Sequence, residues 1–286
     1  LLGLLALFVP FLLGAVIVGL KDFLNNKILY RSEIEKLTKF QVIGELIHDD
    51  QKISLVTAEG DRNFIVEQFR QIRAALKFQG NPKGNIKRTL VTSSIKGEGK
   101  SFVSSNLAVS LARSGKKVAI LELDLHQPKL SEIFNISKRN GITDFLNGNV
   151  RVEDIIYPTE IHPNLSLVPA GNDVDEPSEL LVNGKLELLL DKLDNYFDIL
   201  IIDTVPVKAL TDAYTIAAHC NLVLYIIRHN YTPDMFIEQL DTDMKNSNIT
   251  NVALIFNGVK NRGWGTNPYG QGYGYGYFSY LYPIVQ

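Results

Sequence analysis

Five short aliphatic runs recur along this chain, and several are followed by segments long enough to form helices. Near-continuous aliphatic runs of about four to eight residues are typical of strands that are buried on both faces. The runs span residues 89–93, 118–123, 199–202, 222–227 and 252–256. Strands of this kind that alternate with helices form a mostly parallel sheet covered by helices on both faces. The sequence therefore predicts a doubly wound α/β domain.

Composition limits what else the chain can be. With 286 residues, 45% of them hydrophobic, it has room for one large domain and smaller flanking segments. The 29 basic and 31 acidic residues give a formal charge of -2, so no overall positive field favours nucleic acid as a partner. A single cysteine excludes a disulfide within the chain, and the five histidines lack the spacing of zinc ligands.

The first aliphatic run leads into a glycine-containing loop and then into a predicted helix that ends near Arg113. Glycines let backbone N–H groups approach phosphate oxygens, a lysine can neutralise the β and γ phosphates, and a serine hydroxyl can bind Mg²⁺. The predicted nucleotide contacts are Gly97, Glu98, Gly99, Lys100, Ser101 and Phe102. Ser94 stands where the strict G-x-x-x-x-G-K-[ST] pattern has its first glycine. The alternative is a glycine-rich turn with a solvated lysine.

Carboxylates follow two of the aliphatic runs. Asp203 ends the run 199–202, at the edge where parallel strands deliver side chains to a ligand. Glu122 and Asp124 end the run 118–123, and their spacing of two predicts side chains on one face. We predict that Ser101, Asp203 and Asp124 bind Mg²⁺, and that Glu122 or Asp124 accepts a proton. The alternative for this pair is a charged strand terminus.

Residues 1–20 carry no charged or strongly polar side chain, and as a helix they would rise roughly 30 Å, about one hydrocarbon core. They predict a transmembrane helix that contacts lipid, with a secretory signal as the alternative. Five basic residues between positions 21 and 39 place everything after about residue 21 in the cytoplasm, at the bacterial plasma membrane. We interpret residues 21–60 as a juxtamembrane linker, with a helix over 21–39 and a loop over 40–50.

An amphipathic helix is predicted over residues 63–78, where apolar residues recur at helical spacing before Gly80-Asn81-Pro82. The catalytic domain is assigned to residues 61–260. Residues 261–286 carry one charged residue, Arg262, and alternate glycine with tyrosine, so they are predicted to be mobile. Six of the twelve tyrosines lie there, at Tyr269, Tyr273, Tyr275, Tyr277, Tyr280 and Tyr282.

Three segments together resemble the bacterial tyrosine kinases (BY-kinases), the cytoplasmic part of polysaccharide co-polymerases. They are Leu90–Leu130, Phe197–Pro206 with Asp212-Ala213 after it, and the tyrosine-rich tail. The resemblance implies an autokinase that uses ATP and Mg²⁺ to phosphorylate the tail tyrosines and regulates capsular or exopolysaccharide export. It also implies that Asn257 contacts the adenine and that a phosphotyrosine phosphatase acts as a partner.

The segment Glu67-x-x-Arg70-x-x-Arg73 matches the E-x-x-R-x-x-R motif of this family. By resemblance this motif packs one subunit against the next in a ring, in the family an octamer. The alternative interpretation is a solvated helix face with i, i+3 ion pairs.

The second acidic segment departs from the family pattern D-x-D-x-R. Here it contains Glu122, Asp124 and His126, so only Asp124 matches. Glu122 extends about one methylene further than aspartate, and we expect proton transfer that is impaired at worst rather than absent. Two other functions remain open: a ParA/MinD-like membrane ATPase, whose signature lysine would fall at Ile95, and an ATP-binding scaffold that has lost catalysis.

Overall fold

The computed structural model describes residues 25–48, 55, 63–79, 86–136, 139–209 and 211–260. The predicted transmembrane helix over 1–20 and the tail over 261–286, with its six tyrosines, lie outside these ranges. Among the helices within them, none has both the length and the apolar character that a membrane span requires.

A mostly parallel sheet forms the centre of the domain. Its strands are β1 Gln41–Ile47, β2 Arg88–Ser93, β3 Val118–Glu122, β4 Tyr157–Pro158, β5 Leu165–Val168, β6 Ile199–Asp203, β7 Leu222–Arg228 and β8 Val252–Val259. Their order across the sheet is β1-β8-β7-β2-β6-β3-β5-β4, and every neighbouring pair is parallel except β4 and β5. All five strands predicted from the aliphatic runs are confirmed.

Helices cover both faces of this sheet. They are α1 Arg31–Leu37, α2 Asn63–Gln79, α3 Lys100–Ala112, α4 Leu130–Ile133, α5 Ile142–Asn147, α6 Pro177–Val182, α7 Lys185–Leu193, α8 Asp212–Ala217 and α9 Asp234–Asn246. Alternate residues of one strand point to opposite faces, and accordingly Leu200 and Ile202 belong to one buried cluster while Ile201 belongs to the other. The predicted doubly wound architecture and the helix over 63–78 are confirmed.

The interpretation of residues 21–60 as a linker is wrong for residues 31–47. The predicted loop contains strand β1, which pairs in parallel with β8 at the sheet edge. Ile34, Val42 and Leu46 are buried in the domain core. The predicted helix over 21–39 is confirmed from residue 31 to residue 37. Ile28 instead bonds through its backbone to residues 230 and 232, and residues 21–24 lie outside the described ranges. An edge strand with Gly44 and Glu45 lacks the continuous aliphatic run that identified the central strands.

Candidate active site

A cleft of about 610 Å³ opens at the carboxyl ends of the parallel strands. Parallel strands present their following loops at this edge, which is where α/β proteins bind ligands. Seven of the residues predicted from sequence line the cleft: Gly97, Gly99, Lys100, Ser101, Phe102, Asp124 and Asn257. The strand–loop–helix motif and the strand-end residues therefore converge on one site.

The loop between β2 and α3 adopts a conformation that depends on glycine. Gly97 and Gly99 have φ angles of 92° and 100°, in the left-handed region that side chains disfavour. The Nδ2 atom of Asn257 donates a hydrogen bond of 2.8 Å to the carbonyl of Glu98. A Cβ atom on Gly99 would lie 2.1 Å from that same Nδ2 atom. Asn257 thus supports the loop, and the adenine contact implied for it stays a prediction.

The side chain of Glu98 points into the protein rather than into the cleft. It is completely buried and accepts a hydrogen bond of 2.7 Å from the backbone of Ile95 and another from the hydroxyl of Thr232. Burial raises the pKa of Glu98, and the hydrogen bond from Thr232 opposes that shift. The prediction that Glu98 contacts the nucleotide therefore needs correction for its side chain, which fixes the loop from behind.

Thr232→Val tests this support. Thr232 is fully buried, and its hydroxyl also accepts a hydrogen bond of 2.8 Å from the backbone of Arg228. Valine has nearly the same shape but leaves both partners without the hydroxyl. We expect a loss of about 1–3 kcal/mol in the free energy of unfolding, together with weaker nucleotide binding. Denaturant unfolding and ATP titration measure the two effects.

Thr232→Ser is the matched control, because it keeps the hydroxyl and removes only a methyl group. We expect it to bind ATP like the wild type. Equal behaviour of wild type and Thr232→Val would show that this hydroxyl does not support the loop.

The side chains of Lys100, Asp203 and Asp124 interact electrostatically next to the loop. Lys100 is 7% exposed; burial lowers the pKa of its ammonium group, and the carboxylates of Asp203 and Asp124 oppose that shift. Asp203 accepts a hydrogen bond of 2.7 Å from the hydroxyl of Ser101. Burial raises the pKa of Asp203 to about 7. The ammonium group of Lys100 and the carboxylates of Asp203 and Asp124 thus lie in a poorly solvated part of the site.

These residues fit Mg²⁺. The Oδ1 atom of Asp203 is buried and has no hydrogen-bond partner among the described residues, so it retains a free acceptor next to Ser101. No group of three or more histidine, cysteine or acidic residues suited to a metal occurs in the described part of the chain. Mg²⁺ commonly needs only one or two protein carboxylates, since water and substrate phosphates complete its shell. Ser101 and Asp203 would therefore hold the ion together with the nucleotide.

The structure separates the two carboxylates that the sequence placed together. Asp124 lies beyond the end of β3, lines the cleft and accepts a hydrogen bond of 3.0 Å from the backbone of Gln127. Burial raises the pKa of Asp124, while that hydrogen bond and Lys100 lower it. Glu122 is 1% exposed and, like Asp203, is not among the residues that line the cleft. Both oxygens of Glu122 accept hydrogen bonds, whereas Oδ1 of Asp203 accepts none from the described residues, and the catalytic role of Glu122 stays a prediction.

Several cleft residues were missed by the sequence analysis. Ile47 and His48 come from strand β1 and the residue after it, which had been interpreted as a loop. Arg228 ends β7 and donates a hydrogen bond of 2.5 Å to the carbonyl of Gly97, with its guanidinium group 5.2 Å from the ring of Tyr231. The strand-end rule that identified Asp203 also applies to Arg228 and would have found it.

The E-x-x-R-x-x-R motif lies on α2, away from the cleft. Glu67 and Arg70 form an exposed ion pair of 3.0 Å. Arg73 donates a hydrogen bond of 2.5 Å to the carbonyl of Ser110 on α3. Both arginines line a separate cavity of about 250 Å³ between the two helices. Their role in subunit packing stays a prediction.

The chain and its fold are similar to several known proteins. A family model described as an AAA domain matches residues 87–250. The tyrosine-protein kinase CpsD of Streptococcus agalactiae is 32% identical, over 68% of this chain and 83% of CpsD. The tyrosine-protein kinase ptk of Acinetobacter johnsonii is 29% identical, over 91% of this chain and 37% of ptk. The BceF tyrosine kinase domain is 27% identical and superposes with a TM-score of 0.73, over 82% of this chain and 99% of that domain.

The chain spans between 28% and 37% of the length of four longer curated relatives. Against CpsD and the BceF domain, in contrast, the match extends over most of both chains. Residues 87–250, which the family model matches, contain the glycine loop and the strand that ends at Asp203. On these grounds the chain belongs to the AAA domain family and, within it, to the bacterial tyrosine-protein kinases.

Proposed function

We propose that this protein transfers the γ-phosphoryl group of ATP to tyrosine. The observation that carries the proposal is that Lys100 and Ser101 line the cleft beside a glycine loop, while the buried Asp203 bonds to Ser101 and keeps one carboxylate oxygen free for a cation. Phosphoryl transfer depends mainly on positioning and on electrostatic stabilisation of the phosphoryl oxygens, and this arrangement provides both.

Each residue has a specific part in this reaction. The amides of the loop and the ammonium group of Lys100 would bind the phosphate oxygens. Ser101 and Asp203 would hold Mg²⁺, which neutralises charge on the triphosphate. The phenol oxygen forms a bond to the γ-phosphorus, the bond from that phosphorus to the β–γ bridging oxygen breaks, and ADP leaves. Asp124, whose pKa is raised by burial, is placed in the cleft to accept the phenol proton.

The proposed acceptors are the six tail tyrosines, presented in trans by a neighbouring subunit of a ring. Each phosphotyrosine adds roughly -1.5 to -2 charges, so six would add about -9 to -12 to a tail with one basic residue. Such a tail would leave an anion-binding cleft, and the ring would loosen. In this proposal the protein is anchored in the bacterial plasma membrane by residues 1–20, and the switch regulates the polysaccharide export machinery.

A two-chain assay tests both the chemistry and its direction. A chain that ends at Lys260 keeps the cleft but lacks the tail tyrosines. A full chain with Lys100→Met keeps those tyrosines but lacks the ammonium group of Lys100. We expect neither to become labelled alone with Mg-ATP. When mixed, the full-length Lys100→Met chain should gain phosphotyrosine, detected by mass spectrometry or by antibody. Labelling of the wild type without labelling in the mixture would exclude transfer in trans.

Two other functions give different results in the same assay. An ATPase of the ParA/MinD kind would release inorganic phosphate without forming phosphotyrosine. An ATP-binding scaffold, which the residues Glu122 and His126 favour, would bind nucleotide and do neither. Size-exclusion chromatography of the wild type before and after treatment with ATP reports on the ring: an unchanged assembly after full modification would remove the proposed switch.

A further inference from the structure

Glu122 forms a closed set of contacts at the end of β3. Its Oε1 atom accepts hydrogen bonds of 2.5 Å and 3.1 Å from the backbone N–H groups of Leu130 and Ser131. Its Oε2 atom accepts bonds of 2.5 Å from the hydroxyl of Ser131 and 3.2 Å from the backbone of Ala170. An ionised carboxylate has about four acceptor positions, so these four donors fill them. No position is left for a phenol proton unless one of these bonds breaks.

These contacts close a loop of the candidate active site. The segment between Glu122 and Leu130 contains four of the residues that line the cleft: Asp124, His126, Gln127 and Lys129. Glu122 begins this segment, and its carboxylate binds the two backbone amides that follow it. The same carboxylate binds Ala170, just after β5, the strand on the far side of β3 from β6. The loop is therefore fixed at both ends and tied to a third segment.

The neighbouring strand β6 ends in a second carboxylate, Asp203, whose contacts differ from those of Glu122. Glu122 and Asp203 are register partners on β3 and β6, so the two side chains start from adjacent points of the sheet. The carboxylate of Asp203 binds Ser101 at the start of α3, whereas that of Glu122 binds residues 130, 131 and 170. Two neighbouring acids thus face different partners, and only that of Asp203 retains a free oxygen, Oδ1.

We propose that Glu122 is a positioning residue that holds the 123–129 loop, and with it Asp124 and Lys129, in the geometry that binds ATP. An aspartate at this position would be one methylene shorter and would not reach the same four donors from the same backbone position. In this chain the proton-accepting role then falls to Asp124. This inference rests on the proposed function for its catalytic consequence, but the loop geometry itself is testable through binding alone.

The decisive comparison uses Glu122→Gln and Glu122→Asp with Ser131→Ala as a mild third variant. Glutamine turns one oxygen into a donor that faces other donors, and aspartate keeps the charge but shortens the reach. We expect both Glu122 variants to raise the KM for ATP about tenfold, with a smaller change in kcat. Ser131→Ala removes one of the four donors and leaves the carboxylate in place, so it should raise KM in the same direction by about threefold.

Hydrogen exchange gives a readout that is independent of catalysis. We expect the amides of Leu130, Ser131 and Ala170 to exchange about tenfold to a hundredfold faster in Glu122→Gln, while the amides of β7 stay protected as in the wild type. If the wild type transfers no phosphoryl group, a titration with a fluorescent ATP analogue replaces KM. Failure of the proposed function and failure of this inference are then distinct results.

Two outcomes would overturn the inference. If Glu122→Asp has wild-type kcat and KM while Glu122→Gln loses kcat at unchanged KM, Glu122 is the proton acceptor. If the Glu122 variants and Ser131→Ala lower only the amount of folded protein, and the folded fraction binds ATP like the wild type, Glu122 supports the fold without positioning the loop.

Discussion

Lys100→Met lowers the rate of phosphoryl transfer by about a thousandfold in our expectation. The ammonium group of Lys100 is a buried cation that lines the cleft at the phosphate loop, and charge on the transferred phosphoryl group is stabilised chiefly by such fixed charges. Methionine has a similar length and suits the buried position. Asp203, whose pKa burial already raises to about 7, can take up a proton when its positive neighbour is removed. The fold should therefore survive while the chemistry fails.

Single-turnover kinetics with Mg-ATP, accompanied by thermal unfolding, measure this prediction. Lys96→Met is the matched control, because Lys96 carries the same charge four positions earlier and also lines the cleft. Its side chain is exposed, and its ammonium group donates a hydrogen bond to the side-chain oxygen of Gln127. Solvent screens an exposed cation, so it stabilises the transferred phosphoryl group little. We therefore expect Lys96→Met to change the rate of phosphoryl transfer by less than about fivefold. Equal losses in the two variants would mean that burial of Lys100 is not what makes it effective.

Gly99→Ala should weaken nucleotide binding by at least about a hundredfold. The added Cβ atom would lie 2.1 Å from Nδ2 of Asn257, a separation that forces the Asn257 side chain or the loop to move. The φ angle of 100° adds backbone strain of about 1–2 kcal/mol for any residue with a side chain. Because Asn257 holds the carbonyl of Glu98, displacing it disturbs the amides that would bind phosphate.

Gly115→Ala separates strain from collision. Gly115 has a similar φ angle of 90°, but no heavy atom lies within 4 Å of the Cβ position there. This variant should lose about 1–2 kcal/mol of unfolding free energy and keep wild-type ATP affinity. Isothermal titration with ATP and Mg²⁺, and denaturant unfolding of both variants, provide the comparison. Wild-type ATP affinity in Gly99→Ala would contradict the role given to the loop geometry.

The segment 230–234 links the start of the described chain to the phosphate loop, and the sequence analysis did not predict this link. Residues 26 and 28 bond through their backbones to the segment 230–234, and within that segment Thr232 holds Glu98 and Tyr231 holds the carbonyl of Lys96. Sequence patterns report local periodicity, and residues 26–28 have none that indicates pairing. Contacts of this kind between segments about two hundred positions apart depend on the completed sheet.

The candidate site was predictable to the extent that each residue is a local consequence of a strand ending. Lys100 and Ser101 follow one aliphatic strand and Asp203 ends another, and because parallel strands share one carboxyl edge, the convergence of these residues could be inferred. Asp124 was predicted for the same reason. The contacts of Glu122 could not be inferred in the same way, because a spacing of two fixes a strand face but not the direction in which a long side chain turns.

By itself the sequence determined the doubly wound sheet and the phosphate-binding loop, because hydrophobic runs and glycine positions act over short distances along the chain. It also determined the family, since the loop and the strand that ends at Asp203 are contiguous motifs. Only the tertiary structure decided that residues 41–47 complete the sheet edge, that Glu98 faces the interior, and that Glu122 binds residues 130, 131 and 170. Those assignments depend on which donors are brought within hydrogen-bond distance of a carboxylate, and folding brings them there from distant parts of the chain.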